Sequence, residues 1–376
     1  MRLANLHSRW LAMGLLVMAT ALIIACGPGA TDDELVERAK GYLAEKKVQA
    51  ATIELRNALQ ANPQNAEARY VLGEIHLQVG NFESAEKELQ RAFEMGWNAG
   101  SALTGKTRAM VAQEKYKQVL ETSYPTDDWP ASVQASLQAL QAGAYLGEGD
   151  MQKANSALLY AKSLDEKAYD VLRVTILLHL AENHKEDAEA AISKAQTLFP
   201  QDSEFMLMSA DLAVMNKQYE EAIRVFEQII ALGPENLMTL NMKRAHLGIL
   251  RLAIMEKDFN RVQKSREAFV SSKIDDPEVN YFLALAAFRE KNMDEAEAYL
   301  QKVLLVSSSH GPTLLLSGLV SYANQNFERA AYYSSKYIAN HPENSRARTL
   351  LGRSYLALGQ YEDARKEFNS VLKEHP

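Results

Sequence analysis

From about residue 32 to the end of the chain, small and bulky apolar positions recur with a period of about 34 residues. The closing block shows the pattern most fully: Leu350, Leu351, Gly352, Arg353, Ser354 and Tyr355, then Ala364, Phe368 and Pro376. The same frame moved back along the chain finds Gly73, Ala85, Leu89 and Ala92, and before them Ala39, Tyr42, Ala51, Leu55, Ala58 and Pro63. Each block predicts a pair of helices with a polar break between them. Such a pair cannot bury its own apolar face, so stacked neighbours must supply one continuous core. Small residues recur because Gly or Ala lets two helix backbones approach while Tyr, Leu or Phe nearby fills the remaining space.

These positions match the L-G-x2-Y, A-x3-F and P positions of the tetratricopeptide repeat (TPR), which the chain resembles over most of its length. The resemblance implies an all-α fold, a right-handed superhelical solenoid of about ten helix-turn-helix repeats, with a concave face that binds other molecules. Repeat one occupies about 32 to 65 and repeat two about 66 to 99, where His76 takes the usual tyrosine place and Gly80-Asn81-Phe82 marks the turn. From 100 to 134 the pattern degenerates. A helical stretch through Ala109 and Ala112 turns near Glu114-Lys115-Tyr116, and Tyr124, Pro125, Asp127, Asp128, Trp129 and Pro130 predict an irregular connection. Repeats four to ten follow over 135–376, through Ala142 and Tyr145, Ala188 and Ile192, Ala222 and Phe226, Ala284 and Leu300, and Gly318 and Ala330. The spacing from Pro234 to Pro277 exceeds the period by about nine positions, which predicts a first helix near Leu240 to Met255 longer than its counterparts by about two turns.

The N-terminus is a separate object. Arg2 and Arg9 precede an uncharged apolar run from Leu11 to Ala25, too short for a comfortable span of about 20 residues, so residues 1–25 read as a secretory signal. The run ends Ile23-Ile24-Ala25-Cys26-Gly27, which resembles a bacterial lipobox. That resemblance implies lipidation of Cys26, the single cysteine of the chain. Two or more acyl chains anchor stably where one is marginal. Because Gly27, not aspartate, follows the cysteine, the expected location is the outer membrane, facing the periplasm. Residues 26–31 then form a short tether, with Gly27, Pro28 and Gly29 opposing helix.

The net charge of −7, with no Lys/Arg-rich block, argues against a nucleic-acid partner. The eight histidines include no metal-binding motif; His179 and His184, five apart, fall off one helical face and read as structural or solvent-exposed, so no metal is expected. Carboxylates such as Glu83, Glu86, Glu88, Glu295 and Glu297 alternate with cations and read as surface ion pairs. With no nucleophile elbow, phosphate loop or dinucleotide fingerprint, neither catalysis nor a cofactor is expected. Tyr332, Tyr333 and Tyr337 share one predicted helix and read first as packing between repeats, with a partner-binding patch as the alternative.

In TPR proteins the groove is built mainly by the first helices. Carrying their second, fifth and ninth positions onto this chain implies Glu67, Tyr70 and Glu74 in repeat two and Arg346, Thr349 and Arg353 in repeat ten as residues that contact protein partners. The lysine and asparagine pair that grips a peptide C-terminus in chaperone-binding TPRs is absent, since Val36 and Lys40 stand where repeat one would need it. The segments Tyr42-Leu43-Ala44, Ala51 to Gln60, Asn62-Pro63, Ala66 to Ile75 and Ser84 to Leu89 further resemble the TPR lipoproteins of the exosortase/PEP-CTERM system, encoded with exopolysaccharide genes in Gram-negative bacteria. The resemblance implies a membrane-fixed adaptor in exopolysaccharide assembly or export, or in sorting of PEP-CTERM proteins; an assembly lipoprotein of a pilus, secretion or outer-membrane insertion machine is the alternative. Members of that family are usually much longer, and the last repeat would expose Phe368, Val371 and Leu372. A truncated product, or a partner or second copy covering that end, is therefore expected.

Overall fold

The computed structural model describes residues 30–122, 128–234 and 237–374. Cys26 and most of its tether lie outside the described residues, as do the signal segment, Tyr124, Pro125, Asp127 and Pro376. Among the described residues there are twenty α-helices and no strands, in ten consecutive pairs.

The pairs are α1 Asp32–Ala44 with α2 Val48–Ala61, α3 Ala66–Val79 with α4 Phe82–Glu94, α5 Ala99–Ala112 with α6 Tyr116–Glu121, α7 Ala131–Gly147 with α8 Met151–Asp165, and α9 Tyr169–Ala181 with α10 Lys185–Leu198. They continue as α11 Ser203–Met215 with α12 Tyr219–Leu232, α13 Leu240–Glu256 with α14 Phe259–Ser271, α15 Pro277–Arg289 with α16 Met293–Val306, α17 Gly311–Ala323 with α18 Phe327–Ile338, and α19 Ser345–Ala357 with α20 Tyr361–Glu374. The chain divides into two compact bodies: residues up to Leu198 with Pro234–Leu237, and Phe199–Gly233 with Met238 onward.

The turns inside the pairs define the repeat more sharply than the apolar frame does. Each contains one residue in the left-handed region: Lys46, Gly80, Glu114, Gly149, Asn183, Lys217, Lys257, Lys291, Gln325 and Gly359. In each, the next residue donates its N–H to the carbonyl five residues back, from Lys47 to Tyr42 at 2.8 Å through to Gln360 to Tyr355 at 2.8 Å. This six-to-one bond closes a Schellman turn and satisfies a carbonyl that the helix end would leave bare. The second helix then starts on a side-chain cap in many pairs, as where Asn81, Asp150, Asp258, Asn292 and Asn326 accept from a backbone N–H in the first turn.

Within each body the first helix packs on its partner and the partner on the next first helix. The frame residues meet at those contacts. Ala85, Leu89 and Ala92 are wholly buried, and Gly73 lies so close to Leu89 that a Cβ there would stand 2.6 Å from Leu89 Cγ. Gly352 is equally confined, with Phe368 Cε1 at 2.7 Å from the place of a Cβ. In the third repeat the second helix is cut to six residues, yet buried Val119 packs with Met110 and Ala144 and keeps the layer closed.

One expectation is corrected. Helix α13 has 17 residues against 13 in α11 and α15, a single extra turn and not two. Part of the remaining surplus lies in the connection between Leu232 and Leu240, where the next first helix starts late, and part in the place of Pro277, which opens α15 where Pro234 precedes α13.

Candidate protein-binding faces

The two predicted residue sets lie in different bodies and in opposite electrostatic states. In the N-terminal body, Glu67, Tyr70 and Glu74 project from α3. Glu67 is ion-paired with Lys40 of α1, which also binds Glu37 at 2.8 Å. Glu74 lies over Gly105 of α5, where a Cβ would come within 2.9 Å of its Oε1. Burial pushes the Glu74 carboxyl above the ordinary carboxylate range and nearby Asp170 adds to this, while Arg108 draws it back. Tyr70 is half-buried, and its phenol is held above its usual value first by burial and then by Glu74, against a hydrogen bond with Ser101.

The centre of this face is a pair that no local pattern announces. Arg108 of α5 grips Asp170 of α9 through two parallel bonds, Nε to Oδ1 at 2.9 Å and Nη2 to Oδ2 at 2.8 Å, although 62 positions separate them. Asp170 is fully buried, whereas about a third of the Arg108 side chain remains exposed. The Arg108 guanidinium also lies 5.1 Å from the centre of the Tyr169 ring. Burial disfavours its charge, but Asp170 outweighs that and holds the guanidinium above its usual range. Glu67, Arg108 and Asp170 are therefore paired within the protein.

In the C-terminal body, α19 carries Arg346, Thr349 and Arg353 to one wall of an open groove of about 370 Å³, and Leu319 and Tyr322 of α17 form the other. The structure thus brings the three predicted residues together and adds a leucine and a tyrosine that the repeat frame did not single out. The Thr349 hydroxyl donates to the Ser345 carbonyl at 2.7 Å. Arg346 and Arg353 are exposed and have no ion-pair partner among the described residues. The neighbouring arginine behaves otherwise. Arg348 is ion-paired with Glu367 at 2.8 Å and donates to the Pro342 carbonyl at 2.6 Å. In repeat two Arg69 does the same with Glu88 at 2.6 Å and the Pro63 carbonyl at 2.6 Å, so this position locks the entry of its helix pair.

The remaining candidates divide. Among the acidic residues read as surface ion pairs, Glu86 binds Lys115 at 2.7 Å and Glu88 binds Arg69, both between helices and partly buried. Tyr333 is buried as expected, but Tyr332 is 59% exposed and lines a second open groove with Glu328, Lys336 and Tyr355. Tyr337 stacks on His341 with ring centres 4.6 Å apart. His179 and His184, placed off one face by a continuous helix, are brought together because α9 stops at Ala181 and the turn folds back. No described helix is long and apolar enough to cross a membrane.

Models of the tetratricopeptide repeat match residues 42–95 and 321–376, and residues 175–236 and 256–312, together more than half of the chain. No curated protein matches the chain in sequence. Among solved structures it is similar to PilW, a widely conserved type IV pilus biogenesis factor, with a TM-score of 0.51 and 18% identity over 58% of this chain and 98% of that one. It is also similar to human IFIT1, solved as a dimer with PPP-AAAA, with a TM-score of 0.50 and 13% identity over 90% of this chain and 82% of that one. At these identities the likeness is one of fold.

Proposed function

Because the chain belongs to the tetratricopeptide-repeat family, we propose that it is a non-catalytic scaffold that holds protein partners against the first helices of its repeats. The observation that carries this reading is the groove of Arg346, Thr349 and Arg353 against Leu319 and Tyr322. Two guanidinium groups without an ion-pair partner among the described residues, beside an exposed leucine and a tyrosine, fit an extended segment that presents carboxylates and an apolar side chain. The scaffold works by raising the local concentration of its partners.

The finer reading places it at the bacterial envelope, lipidated on Cys26 and held on the periplasmic side of the outer membrane, in exopolysaccharide assembly or export and PEP-CTERM sorting. The lipobox-like Ala25-Cys26-Gly27 and the residues shared with that lipoprotein family support it. Assembly of a pilus, secretion or outer-membrane insertion machine is the second reading, kept because PilW has a similar fold.

The test is capture from solubilised membranes by the full-length lipidated chain, followed by mass spectrometry, with R346A/R353A as the control. Partners of one pathway that disappear with the double variant support the scaffold and identify the machine. An identical set of captured proteins from both chains overturns the groove. Incorporation of labelled acyl chain that persists in C26S removes the anchor.

A further inference from the structure

We propose that the turn between α9 and α10 is a transition-metal site in which His179, Glu182 and His184 supply two imidazole nitrogens and one carboxylate oxygen to a divalent ion such as Zn2+. The backbone of this turn is the one used in every repeat. Asn183 takes the left-handed conformation with φ 58°, and the His184 N–H bonds the His179 carbonyl at 2.8 Å. That bond places side chains five apart in sequence over one another. The other nine turns bring together pairs such as Tyr42 with Lys47, His76 with Asn81 and Tyr145 with Asp150; this one alone among the ten joins two imidazoles, with a carboxylate between them.

The side chains have the arrangement a metal needs. One ligand atom from each residue lies within 4.8 Å of the other two, and His184 Nδ1 already stands 3.4 Å from Glu182 Oε2. With ligand bonds of about 2.0 to 2.1 Å, the edge of a tetrahedral site is about 3.4 Å, so closure needs shifts of roughly 1 to 1.5 Å. His184 is exposed, so its side chain has room to change rotamer toward the other two residues.

Two further observations point to a ligand and not to chance proximity. The far oxygen of the carboxylate, Glu182 Oε1, accepts from Asn155 Nδ2 of α8 at 3.0 Å, which leaves Oε2 directed at His184. Carboxylate ligands of metal sites are characteristically held in this way by an outer partner. The His179 Nδ1 is buried without a hydrogen-bond partner, a costly state that coordination through that nitrogen would relieve. Two nitrogens and one oxygen suit Zn2+, Co2+, Ni2+ or Cu2+ better than Mg2+ or Ca2+, and the fourth position is left to water.

The test is calorimetric titration of Zn2+ into the full-length, tag-free, chelator-treated chain, paralleled by Co2+ monitored by visible absorption. The expected result is one saturable ion per chain, an intense tetrahedral Co2+ spectrum, and at least tenfold weaker binding in H184A with helicity unchanged. N155A is expected to weaken binding by about tenfold through loss of the outer contact. No saturable binding, or equal affinity in wild type and H184A, overturns the site.

Discussion

Repeats two and ten use one arginine position identically and the groove positions oppositely. Arg69 and Arg348 each clamp a glutamate of the second helix and the carbonyl of the proline before the pair, so both belong to the architecture. At the groove, repeat two presents Glu67, which Lys40 pairs, Tyr70, and Glu74, whose carboxyl is raised by burial against the pull of Arg108. Repeat ten presents Arg346 and Arg353, which have no ion-pair partner among the described residues. A charge already matched internally contributes mainly to stability. An unmatched, exposed one contributes little to stability and is available to another molecule.

The comparison breaks most readily at Asp170. D170A leaves Arg108 without its buried partner and is expected to cost about 4 kcal/mol in chemical denaturation; a loss below about 1 kcal/mol would show that the N-terminal face is not held by this pair. Next come the two clamps. R69A and R348A should each cost roughly 3 kcal/mol by the same measurement, and widely unequal losses would refute their common role. A smaller effect concerns pH. Burial raises the Glu74 carboxyl, so the stability favoured by its protonated form is present below the ordinary carboxylate range and lost as pH rises through its raised value. E74Q, which does not titrate, should therefore gain on wild type between acid and neutral pH; a gap independent of pH would remove this assignment. Smallest of all, R346A/R353A should leave thermal stability within about 0.5 kcal/mol of wild type.

The repeat was legible because small residues at helix crossings cannot be replaced without collision, so Gly73, Ala85, Gly352 and Ala364 stand in register along the chain. Two of the ten turns were read from the sequence, at Gly80-Asn81-Phe82 and near Glu114-Lys115-Tyr116, and glycine holds the left-handed residue at three of the ten, Gly80, Gly149 and Gly359. At the other seven, lysine, glutamate, asparagine or glutamine is forced into that conformation, at about 1 kcal/mol each, because the flanking helices and the six-to-one bond fix the backbone. That is also why His179 and His184 read as separate on an ideal helix and meet in the structure. The Arg108 and Asp170 pair had no local signal, since an aspartate in the first turn of α9 is already accounted for by the helix dipole. For α13 the surplus spacing was real, but a connection absorbed part of what was assigned to helix.

The central claim, that the α19 groove is where partners bind, is tested most directly by a photo-crosslinking amino acid placed at Thr349 and, separately, at Tyr70 in the living cell. The expected result is discrete protein adducts from position 349 that vanish in R346A/R353A, with few or none from position 70. Adducts from position 70 alone, or adducts at 349 indifferent to the two arginines, would contradict it.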